Sequence, residues 1–229
     1  MSEASELLVA ERLVVGRGAP LLGPVDLRVC AGESWFVVGP NGSGKTTLLH
    51  TLVGLLRPLG GELRLGECVR DRRHLGFVPQ EPAAAAALPC SVQEFVALGC
   101  HTPPGAATRD AVSAGLEAMG VTALRYRDVR ALSLGQRRRV AIARALARAP
   151  ALLLLDEPTA NLDTAAADRL VGDLQGLCDA GTGLVHVSHD LVMTRAHASH
   201  IACVAHGAVT AGAASAMAGR LDALVEAQG

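Results

Sequence analysis

"GPNGSGKTT", residues 39–47, fits the spacing G-x-x-x-x-G-K-[ST] and holds the only lysine of the 229-residue chain; the rest of its 21 basic residues are arginines. It directly follows the apolar run "SWFVV" (34–38) and precedes the helical pattern "TTLLHTLVGLL" (46–56). Glycines let such a turn curl its backbone N–H groups around an anion at the positive end of the following helix. A lysine there reaches between the β- and γ-phosphates as a compact charge, whereas the planar fork of arginine is too wide for the nest. Thr46 adds a hydroxyl suited to Mg²⁺. A chain that has otherwise drifted to arginine keeps lysine where a point charge is needed. Gly39, Pro40, Asn41, Gly42, Ser43, Gly44, Lys45, Thr46 and Thr47 are thus the candidate nucleotide cradle.

Outward from this loop, short apolar runs alternate with helical stretches, the pattern of a parallel sheet with crossover helices. "SWFVV", "ALLLL" (151–155) and "GLVHV" (183–187) read as buried central strands. Residues 7–15 and 25–29, parted by a Gly/Pro-rich turn, predict an antiparallel outer sheet, to which 62–65 adds a further strand. Between Gln80 and Pro150 the chain turns Ala-rich and helical, which predicts an inserted helical subdomain entered through "EPAAAAALP". From Ile201 onward a strand, a turn at "HGA", a second strand and a final helix near 213–227 are expected. The composition agrees with a helix-rich α/β domain: 50% apolar, chiefly Ala, Leu and Val, with only 2% aromatic.

"LLLLDEP" (152–158) is a strand ending in two acids. Asp156 is placed to hold the hydration shell of Mg²⁺, and Glu157 to orient and polarise an attacking water. Further along, "LSLGQ" (132–136) puts Ser133 and Gln136 at capping-box spacing ahead of a helix carrying Val140, Ala143 and Leu146 on one face. The arginines 137–139 read as a solvated or phosphate-facing turn.

Taken in order, the phosphate loop, "GFVPQ" ending at Gln80, "LSLGQ", the strand acids, "NLD" ending at Asp163, and "SHD" holding His189 resemble the ATP-binding cassette ATPases from about Glu6 to the C-terminus. The resemblance implies a P-loop NTPase with a RecA-like core, an N-terminal antiparallel β-subdomain and an inserted α-helical subdomain at 81–150, all within one domain, 1–229. It implies ATP as substrate with Mg²⁺, and a homodimer in which Ser133, Gly135 and Gln136 of one copy meet the nucleotide held by the other. Gln80 would contact Mg²⁺ or the water and sense a transport partner. His189 would hydrogen-bond the γ-phosphate and the catalytic carboxylate, and Asp163 would cross the dimer interface. Two departures stand out. Leu134 occupies the third signature position, where the family has glycine, and residues 14–18 lack the aromatic that stacks on adenine, a role open to Arg17. Weak discrimination between ATP and GTP follows.

Within that family, "LGFVPQ" (75–80) followed by "LPCSVQEFVALG" (88–99) resembles the zinc and manganese importer ATPases. The implied partners are an integral membrane permease and an extracytoplasmic substrate-binding protein, with this chain peripheral on the cytoplasmic face of the membrane. Haem or iron-chelate transport, and a soluble cassette ATPase not coupled to transport, are the alternatives. A net charge of −1 supplies no field for nucleic acid. No apolar run approaches the roughly 20 residues of a membrane span. The six cysteines are scattered without a C-x-x-C pair and read as buried thiols of a reducing compartment. His197, His200 and His206 read as satisfied or exposed rather than as metal ligands.

Overall fold

The computed structural model describes residues 5–69, 74–80, 89–103 and 105–226. Two sheets organise it. Strands β1 (Glu6–Arg17), β2 (Ala19–Cys30) and β4 (Gly60–Leu65) form an antiparallel sheet in the order β2-β1-β4. Strands β3 (Ser34–Val38), β5 (Leu75–Val78), β6 (Leu152–Asp156), β7 (Gly183–Val187), β8 (His200–Ala205) and β9 (Ala208–Ala213) form the second, in the order β5-β6-β7-β3-β8-β9. All neighbours in it are parallel except β8 and β9.

The central strands are buried along their whole length because side chains on both faces are apolar. On β3, Trp35 and Val37 face one way, joining Leu154, Val185, helix α1 (Lys45–Leu52) and the antiparallel sheet in one apolar layer. Phe36 and Val38 face the other way, against α5 (Thr164–Asp179), α6 (Leu191–His197) and α7 (Ala214–Glu226). Further across that face, Leu153, Leu155 and Leu184 continue into a cluster with Phe95, Leu116 and Ile142. Those three come from α2 (Val92–Ala97), α3 (Ala106–Ala118) and α4 (Leu134–Leu146), the helices of the Ala-rich region. Its only β-element among the described residues is an isolated bridge between Ser91 and Asp128.

The three central strands expected from sequence are present, as are the outer sheet, its added strand and the C-terminal strand–turn–strand–helix. The outer hairpin is longer than expected. The Gly/Pro-rich stretch read as a turn lies mostly within β2, which tolerates Pro20 and Pro24 because it is an edge strand. Strand β5 went unforeseen: four residues including a glycine carry too little periodicity to register. The linker "EPAAAAALP" falls, apart from Pro89, outside the described residues. Cys178 and Cys203 are buried as expected and all six thiols are free, but Cys68 is exposed. No described helix is long and apolar enough to cross a membrane.

Among the few polar side chains in the core is His186 on β7, 3% exposed and stacked on Phe36 with ring centroids 4.6 Å apart. Burial, helped by His197 nearby, pushes its pKa down to about 3, so the ring is neutral at ordinary pH. His200 stacks on Trp35 at 4.6 Å, and His206 sits exposed in the β8–β9 turn.

Candidate active site

Parallel pairing puts the C-terminal ends of β3, β5, β6 and β7 on one edge of the sheet, and the chemistry-bearing residues follow those ends directly. The loop after β3 wraps back on itself. Gly39 has φ +152, and a Cβ there would lie 2.2 Å from the Val204 carbonyl oxygen, so only glycine fits against β8. Helix α1 then starts from Gly44 with no side-chain cap, leaving its first N–H groups open to an anion. Lys45 is 5% exposed and donates from Nζ to the carbonyls of Gly39 and Pro40, both at 2.8 Å. Burial lowers its pKa, while Glu157 and Asp156 act against the shift. The Ser43 hydroxyl is buried inside the loop without a protein partner, an orphan of the kind a phosphate oxygen satisfies.

At the end of β6, Asp156 accepts a hydrogen bond from Thr46 Oγ1 at 3.2 Å. Burial raises the Asp156 pKa, and the Thr46 hydrogen bond partly offsets this. Two oxygen donors thus converge beside the phosphate loop, one of them a carboxylate, and such a pair suits a hard divalent cation. Glu157 takes a left-handed backbone, φ 46, and donates its N–H to Val187 O at 3.0 Å. Gln80, just past β5, donates from Nε2 to Glu157 Oε2 at 2.8 Å, and His189 Nδ1 lies 3.7 Å from the same oxygen.

These groups line a cleft of about 790 Å³: Gly39, Pro40, Asn41, Gly42, Gly44, Lys45, Thr46, Thr47, Gln80, Glu157 and His189. Two further lining residues, Leu21 and Leu224, escaped the sequence reading because nothing marks an isolated leucine as a ligand contact. Arg17, suggested there for base stacking, is exposed at the end of β1 and is not among the lining residues.

Four sequence candidates stay apart from this cleft. Ser133 and Gln136 close the expected capping box at the start of α4, with Gln136 N to Ser133 Oγ at 3.3 Å and Ser133 N to Gln136 Oε1 at 3.1 Å. Gly135 lies between them. Among the described residues a Cβ there would meet nothing nearer than a Leu162 methyl at 3.6 Å, so none of them demands glycine. Leu134, the departure from the signature, is 37% exposed. Asp163 caps α5 through Ala166 N at 2.8 Å. The arginines 137–139 are not a solvated turn: they lie within α4, Arg138 is 2% exposed, and Arg139 pairs with Asp173. Helical periodicity turns Arg138 toward the core while its neighbours flank it.

Comparison with known proteins accords with this geometry. The family model described as ABC transporter matches residues 22–160. The cobalt import ATP-binding protein CbiO of Rhodobacter capsulatus is 40% identical over 225 residues, covering 92% of this chain and 80% of that protein. The zinc import ATP-binding protein ZnuC of Paramagnetospirillum magneticum is 39% identical over 188 residues, covering 82% and 69%. Among solved structures, CbiO1 of Clostridium perfringens, part of the transporter complex CbiONQ, superposes with a TM-score of 0.84 at 25% identity over 96% of this chain and 93% of that one. The chain belongs to the ABC transporter family of ATP-binding proteins and is an ATPase.

Proposed function

We propose that this ATPase powers import of a transition-metal ion through a separate membrane permease, working as a homodimer on the cytoplasmic face, with an extracytoplasmic protein delivering the metal. The observation that carries the chemistry is the convergence of Lys45, Gln80, Glu157 and His189 on one cleft at the carboxyl edge of the sheet. The triphosphate lies on the loop N–H groups, with Lys45 leaving its carbonyl partners for the β- and γ-phosphates. Glu157 takes a proton from water attacking the γ-phosphorus in line with the leaving oxygen, and His189 steadies the γ-phosphate and Glu157. Mg²⁺, which Thr46 and Asp156 would hold with Gln80 beside them, supplies charge neutralisation to the phosphate oxygens.

The dimer is supported by Gly135, whose lack of a side chain no described residue requires, but whose bare backbone would let a partner's γ-phosphate approach the end of α4, with Ser133 and Gln136 beside it. Asp163, next to the Leu162 whose methyl lies 3.6 Å from where a Gly135 Cβ would be, would cross to the partner. The helical unit, residues 81–150, would engage the permease. Between α2 and α3 a cavity of about 460 Å³ lined by Gln93, Arg109, Val112, Arg125 and Tyr126 lies near exposed Leu98 and Tyr126, 54% and 78% exposed. Amphipathic surface of that kind suits a short helix of a membrane partner. A metal cargo is supported by the cobalt and zinc importers among the relatives.

The test is Glu157→Gln in the purified chain. It is expected to bind ATP as tightly as the parent while turnover falls at least 100-fold, the usual scale for loss of a general base; near-normal turnover sinks the assignment. Co-expression with a multispan permease tests the coupling, and failure to co-purify with one speaks against transport.

A further inference from the structure

The three consecutive arginines of α4 have different surroundings. Arg137 is partly exposed, and Arg139 pairs with Asp173 and donates to the Met119 carbonyl at 2.8 Å. Arg138 is almost fully buried, and its Nη1 donates to the backbone carbonyl of Gln80. A guanidinium is costly to desolvate, and this one is held against the residue whose side chain grips Glu157. A continuous path therefore runs from Ser133 along α4 to Arg138, then through the Gln80 backbone and amide to Glu157 Oε2. Ser133 and Arg138 are five residues apart on one hydrogen-bonded helix, about 7.5 Å along its axis, so they move together.

We propose that Arg138 is a positioning residue that couples the Ser133 end of α4 to Glu157 through Gln80. Displacing α4 drags the Gln80 backbone and moves its amide relative to Glu157. While the Gln80 amide N–H occupies Glu157 Oε2, that oxygen has one fewer lone pair with which to accept a hydrogen bond from water. Movement of α4 thereby sets how available Glu157 is to water. Arginine suits this role because its planar fork carries a fixed charge and several donors, so it can hold a carbonyl and still make other contacts. The coupling rests on the reading of Glu157 as the water-activating group.

The test is a double-mutant cycle in the full chain: Arg138→Met, Gln80→Ala and the pair, with kcat and KM for ATP measured for each. Arg138→Met is expected to lower kcat about tenfold with KM changed less than twofold. In the Gln80→Ala background the same substitution should change kcat less than twofold. Equal fold-losses in both backgrounds would mean that Arg138 merely supports the fold, and would overturn the proposal, as would a loss confined to KM. Should Arg138→Met fail to fold, Arg138→Gln is carried through the same two backgrounds and read by the same criterion. Normal turnover in Glu157→Gln brings down the reading of Glu157, whereas additivity in the cycle brings down the coupling alone.

Discussion

Replacing His186 with leucine should remove a defined part of the protein's acid sensitivity. The ring is neutral in the folded state because burial, and next the nearby His197, hold its pKa at about 3 against an ordinary value of 6.5. Since the folded pKa is depressed, the unfolded chain binds the extra proton. Stability is therefore full above pH 6.5 and is lost as pH falls from 6.5 toward 3. At about 1.4 kcal/mol per unit, the full effect approaches 5 kcal/mol, and at pH 5.0 it is about 2 kcal/mol. Against a typical total of about 5–15 kcal/mol, that is a measurable share. Leucine is apolar and close in bulk. It loses the stacking on Phe36, worth about 1 kcal/mol, but that loss does not vary with pH and cancels in the comparison. The assay is urea unfolding followed by circular dichroism at pH 7.5 and pH 5.0. The parent should lose about 2 kcal/mol more than His186→Leu between the two conditions, because the other titrating groups are common to both proteins. Parallel losses in the two proteins would show that the proton reaches His186 in the folded state and would refute the account of its burial.

Two further outcomes follow from the cleft. Gly39→Ala should lose about 2–3 kcal/mol of stability and most nucleotide binding, because its methyl would meet the Val204 carbonyl at 2.2 Å from a backbone that disfavours side chains; thermal melts and a fluorescent-nucleotide titration measure both. Among the described residues, the wall of the cleft away from the phosphate loop is aliphatic, Leu21 and Leu224, whose side chains offer no hydrogen bond that could tell the purines apart, so ATP and GTP should bind within about threefold of each other. Leu21→Ala should weaken both by a similar factor of roughly five, the equivalent of about 1 kcal/mol of lost apolar contact, and a calorimetric preference for ATP above tenfold would contradict this.

Much of this protein is written locally. The phosphate loop is one contiguous run whose glycines, lysine and threonine fall within nine residues, and the structure sets most of them along one cleft. The capping box of Ser133 and Gln136 spans three residues and forms as its spacing requires. Strands buried on both faces announce themselves as unbroken apolar runs, whereas β5, four residues with one glycine, does not. Glu157 was marked by its place at the end of an apolar strand, whereas the expectations for Gln80 and His189 came only through family resemblance, since nothing in a lone glutamine or histidine reveals a neighbour dozens of residues away.

What the amino-acid sequence determined by itself is the class of fold and the chemistry at the end of β3, because both depend on short-range pattern. Only the tertiary structure decided that Gln80 and His189 share the Glu157 carboxylate, that Leu21 and Leu224 rather than Arg17 wall the cleft, and that Arg138 is buried against Gln80. Those contacts join residues far apart in the chain, and their distances are set by parallel strand pairing and by the packing of α4 and α7 on the sheet, which no local signal encodes.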